Sequence, residues 1–133
     1  MFEVSDTAVD DPDSLTASFL TELKSIARTD PDKIPPVIAT ALTNNDPTAI
    51  TLSQAATILA MNEDRLDSQA IEAELRDRIL IGMSTAVLDV DRLASEMAIE
   101  RSPKALQQGI EGRAPLTLRE FAHIQSVIAT RVQ

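Results

Sequence analysis

From Leu15 onward the apolar positions recur at helical spacing. Leu15, Phe19, Leu23, Ile26 and Ala27 share one face, and the start is placed for a cap by Asp11, with Pro12 at the first helical position, or by Ser14. This first helix is predicted to end near Thr29, because Asp30-Pro31-Asp32 interrupts it. Pro35 and Pro36 fit only the first turn of a helix reaching about Leu42, with Ile34, Val37, Ile38, Ala41 and Leu42 inward. Asn44-Asn45-Asp46-Pro47 forms the next turn.

Thr51-Leu52-Ser53-Gln54 has the spacing of a capping box and opens a helix over about 52–61. Beyond Asn62-Glu63-Asp64, a stripe at intervals of four (Ile71, Leu75, Ile79, Met83, Val87), flanked by Leu80 and Leu88, predicts the longest helix over about 68–88. Residues 90–97 then form a two-turn helix with Leu93, Ala94 and Met97 inward. Ser102 and Pro103 cap and open a short helix that Gly109 can end. Thr117-Leu118-Arg119-Glu120 is a second capping box, with Leu116 and Phe121 as its hydrophobic staple. The helix it starts should run to about Thr130 and bury Leu118, Phe121, Ala122, Ile124 and Ile128.

The two boxes lie 66 residues apart, and at that offset Thr51-Leu52 matches Thr117-Leu118, Ala56 matches Ala122, Ile58 matches Ile124 and Ala39 matches Ala105. Chance likeness between capped amphipathic helices and a degenerate duplication both account for this. The reading is an all-α, compact helical bundle with a C-terminal helix-turn-helix and, on the second account, a degenerate N-terminal repeat of it. Its parts are an acidic mobile tail (1–14), an N-terminal helical subdomain (15–66) and a C-terminal domain (67–133), with the helix 68–88 bridging the halves.

Charge changes this picture. The chain of 133 residues has a net charge of -9, but its first 97 residues hold seven basic and eighteen acidic side chains, whereas residues 98–133 hold five basic and three acidic. Any nucleic-acid contact is therefore expected after Met97. The absence of Cys and the single His exclude disulfides, thiolate metal sites and His clusters, so no metal and no cofactor are expected. Apolar runs too short for a membrane span, and an acidic rather than basic start, give the expectation of a soluble cytoplasmic protein.

Leu93-Ala94, Met97-Ala98-Ile99, Ser102-Pro103-Lys104 and the segment Ile110 to Leu118 resemble the lambda-repressor-like (Cro/cI-type, XRE) helix-turn-helix DNA-binding family, over about residues 70–130. The resemblance implies a short recognition helix reading the major groove, double-stranded DNA as partner and a homodimer on a palindromic site. Arg101, Ser102, Lys104, Gln107, Gln108 and Arg113 have suitable chemistry. Gln pairs with adenine and Lys reaches guanine acceptors, while Ser102 suits a cap or a phosphate and the flanking arginines suit phosphates. The plain alternative is an exposed short helix with ordinary solvated side chains.

No residue set points to catalysis. His123 lies between Ala122 and Ile124 and reads as a packed histidine, Ser84 and Thr85 have no neighbouring His, and Asp89 and Asp91 read as helix caps rather than a calcium loop. Two functions follow: a sequence-specific transcriptional regulator of the repressor type, or an acidic protein-interaction module (an antirepressor-like adaptor or an antitoxin) that binds a protein partner through its N-terminal half and has little affinity for DNA.

Overall fold

Seven α-helices follow one another in the computed structural model, which describes residue 2 and residues 11–62 and 67–132. They are α1 (Pro12–Ala27), α2 (Pro36–Thr43), α3 (Leu52–Ala60), α4 (Ser68–Ala86), α5 (Val90–Glu96), α6 (Pro103–Ile110) and α7 (Leu118–Val132), with a 3-10 turn at Pro31–Lys33. The fold is all-helical, and the described residues contain no strand, only a bridge between Thr51 and Thr117.

Local chemistry explains the boundaries. Asp11 accepts from the Asp13 N–H at 3.0 Å and the Ser14 hydroxyl at 2.8 Å, and Pro12, which lacks an N–H to lose, occupies the first position of α1. Both capping boxes form: Thr51 with Gln54, and Thr117 with Glu120, each pair exchanging side-chain and backbone bonds of 3.0 and 3.1 Å. The five apolar residues expected to be buried in α7 are buried.

Helix ends differ from expectation. A mobile tail over 1–14 is corrected, because 12–14 form the first turn of α1 and Phe2 is 1% exposed. The Phe2 ring stacks on Phe19 at 4.5 Å and lies 5.9 Å from Phe121, so all three aromatic residues of the chain meet. Met1 and 3–10 lie outside the described residues. α1 stops at Ala27, and Val37 points outward at 69% exposure. α4 ends at Ala86: Val87 turns left-handed (φ 55, ψ 52) and is exposed, while the Leu88 N–H donates to the Met83 carbonyl at 2.8 Å and its side chain enters the core in place of Val87. The four-residue rhythm therefore overruns its helix.

The 66-residue offset has a counterpart in two similar turns. α2 and α6 both close in a Schellman turn: the Asp46 N–H donates to Ala41 and the Arg113 N–H to Gln108, each at 2.9 Å, after left-handed Asn45 (φ 52) and Gly112 (φ 82). Each turn leads into a capping box and a helix. The two turns meet, with the Leu52 N–H donating to the Leu116 carbonyl at 2.7 Å and the Leu118 N–H to the Ile50 carbonyl at 2.8 Å, a reciprocal exchange across a local pseudo-twofold axis. The second turn is one residue shorter, which puts the Ala39–Ala105 match out of register by one. The packing is crossed as well: α1 packs most extensively on α7, and α3 on α4. The boundary near 66 separates halves of the sequence that share one continuous core.

Candidate nucleic-acid interface

α5 and α6 are two short helices joined by residues 97–102. Asp89 caps α5 by accepting from the Arg92 N–H at 2.8 Å, Met97 leaves it in extended conformation, and Ser102 caps α6 by accepting from the Ala105 N–H at 3.2 Å. α6 buries Leu106, Gly109 and Ile110. A Cβ at Gly109 would lie 2.9 Å from Leu116 Cδ1, so glycine lets α6 approach the turn closely. The Arg76 guanidinium, held by Glu72 at 2.9 Å, donates to the Gly109 carbonyl and ties the end of α6 to α4. Burial pushes the Glu72 carboxyl up, but the Ser53 hydroxyl and Arg76 outweigh it and hold it below the usual range.

Of the six sequence candidates, Ser102, Lys104 and Gln107 are exposed at or on α6, and Lys104 makes no ion pair among the described residues. The Gln107 amide donates to Glu111 at 3.0 Å, and Gln108 is half-buried. The two arginines are engaged elsewhere. Arg101 Nε lies 2.6 Å from Glu120 Oε2, an ionic contact without hydrogen-bond alignment to a carboxylate that is 8% exposed. Arg113, on the turn after α6, pairs with Glu111 at 2.5 Å. Arg131 is likewise held by Glu96, through two contacts of 3.0 Å. Three of the five basic groups after Met97 are thus paired within the chain, while Lys104 and Arg119 make no ion pair among the described residues. Sequence reasoning gave Glu120 its capping role through one oxygen and missed that the other faces Arg101.

A cleft of about 390 Å³ beside this pair is lined by Thr48, Ile99, Arg119 and their neighbours. His123 is 2% exposed, its Nε2 lies 3.6 Å from Asp13, and neither ring nitrogen has a hydrogen-bond partner. Burial and the Arg119 charge lower its pKa against the opposing pull of Asp13 and Asp11. The described residues contain no cluster of three or more His, Asp or Glu able to hold a metal ion, and no helix long and apolar enough to cross a membrane.

A second surface escaped the sequence reading. Leu80, Ile81 and Val87 are 51, 66 and 85% exposed on α4 and at its end. The four-residue spacing puts Leu80 on the flank of a buried stripe and Val87 in the stripe itself. An apolar residue on the outer face of a helix carries no local mark that separates it from a core residue.

No curated protein and no solved structure matches the chain significantly. One family profile, described as a family of unknown function, matches residues 25–131, from the end of α1 nearly to the end of α7. The chain therefore belongs to the family of unknown function DUF5791.

Proposed function

We propose that the chain is a non-catalytic, acidic protein-interaction module. The observation that carries this reading is the internal pairing of three of the five basic groups after Met97, Arg101 with Glu120, Arg113 with Glu111 and Arg131 with Glu96, in a chain of net charge -9. Phosphate contact needs cations that are free to displace counterions, and a strongly negative field repels a polyanion. A DNA-binding regulator is the second reading, favoured by the exposed, Ser102-capped start of α6 with Lys104 and Gln107 on its open face.

Fluorescence anisotropy with mixed-sequence duplex DNA over a salt series tests the choice. The module shows no salt-dependent binding. Binding whose logarithm falls linearly with log salt, and which weakens when Lys104, Gln107 and Gln108 are together replaced by Ala, refutes the module and restores the regulator.

A further inference from the structure

We infer that the outer face of α4, from Asp77 to Val87, is a docking surface for a basic amphipathic helix of a partner protein; this rests on the interaction-module reading. Ile71, Leu75, Ile79 and Ala86 bury the inner face of α4, and Gly82 also faces inward, since a Cβ there would lie 2.8 Å from Ile128 Cγ2. Asp77, Leu80, Ile81 and Ser84 fall on the other side at intervals of three and four, and all are exposed. The described residues leave Leu80 and Ile81 largely uncovered.

Val87 supplies an independent argument. Among the described residues three helices end in the same Schellman turn, and two place there residues suited to a left-handed backbone, Asn45 and Gly112. α4 places a β-branched valine at φ 55, a strained choice. The side chain is 85% exposed and contributes little to the core. The turn would form more easily with glycine, so the isopropyl group serves something outside the fold.

The charges around this ridge define its occupant. Arg76 and Arg78 are paired with Glu72 and Glu74, and Arg92 with Glu96. Asp77, Asp89 and Asp91 are exposed and make no ion pair among the described residues. The last turn of α4 contains no basic side chain, leaving the negative end of its dipole uncompensated. Exposed apolar side chains on α4, with Asp77 on the same face and Asp89 and Asp91 just beyond the helix end, fit a helix that carries Leu-like residues on one face and Lys or Arg beside them.

The test uses a synthetic amphipathic Leu/Lys helical peptide, with a Leu/Glu peptide as control, and amide NMR shifts of the full chain. The Leu/Lys peptide should perturb amides of 77–91, and the Leu/Glu peptide should not. Ile81→Lys should weaken binding by roughly tenfold or more. Val87→Gly should weaken it several-fold while raising the melting temperature, so misfolding cannot explain the loss. Absence of binding, shifts confined to other surfaces, or affinity unchanged in both variants would overturn the docking surface. Salt-sensitive DNA binding with shifts over 101–108 would instead sink the module reading itself.

Discussion

Replacing Phe2 with Ala removes one of three rings that form the aromatic centre of the core. The ring is 1% exposed and lies 4.5 Å from Phe19, while the residue's N–H donates to both oxygens of Glu22 at 3.0 and 3.2 Å. The backbone bonds survive the substitution and the ring contacts do not, so the loss is one of apolar burial plus the cavity left between Phe19 and Phe121, which are 5.8 Å apart. Truncations of this kind cost about 3 to 5 kcal/mol in a rigid core. Phe2 also holds a left-handed backbone (φ 50), a strain that alanine shares and that leaves the loss unchanged; the lower end, about 3 kcal/mol, serves as the conservative figure. For a chain of 133 residues that corresponds to a melting temperature lower by ~11 °C. Without Trp or Tyr, the near-ultraviolet circular dichroism comes from the three Phe residues alone, so it reports the loss of their packing directly. Phe2→Leu should retain more than half of the stability. An alanine variant that melts within about 2 °C of the parent, with its phenylalanine dichroism otherwise intact, would refute the anchoring of this residue.

Val87→Gly relieves the left-handed valine and should stabilise the chain by about 1 kcal/mol, read as a higher urea midpoint; a lower midpoint contradicts the assigned strain. Thr117→Ala removes the acceptor for the Glu120 N–H and should cost about 1 kcal/mol, whereas a neutral result would place the start of α7 elsewhere. His123 has a folded pKa below its ordinary value of 6.5, so the unfolded chain binds the proton first: stability is full above about pH 6.5 and falls as pH drops from there through the folded value. Melting at pH 7.5 and 5.5 should show a larger loss for the parent than for His123→Asn; equal losses would remove His123 as the source.

The legible parts of the sequence were those set by short-range bonding. Asp11, Thr51, Ser102 and Thr117 reveal helix starts because their partners lie two or three residues away. The fate of Arg101 depends on a carboxylate nineteen residues along the chain, and that of Phe2 on rings from α1 and α7, so neither has a local signature. Val87 shows the limit of periodicity. It fits the four-residue stripe, but Leu88 is drawn into the core, closes the helix and throws its neighbour outward. The likeness of the two capped segments is visible as an offset of 66, and the one-residue difference between the turns obscures its extent.

The crossed packing of the two halves constrains the order in which the protein can be made. α1 leaves the ribosome well before α7, the helix on which it buries its surface most extensively, whereas α3 meets its main partner, α4, in the element that follows it. The apolar face of α1 remains without its main partner until α7 has been synthesised, and the reciprocal bonds between the turns close only when Leu116 and Leu118 arrive. Folding must wait for contacts between distant segments, whose loop-closure cost makes them slow. A chain stalled before α7 would expose the faces of α1 and α4 that α7 covers, which makes the nascent chain a natural client for chaperones.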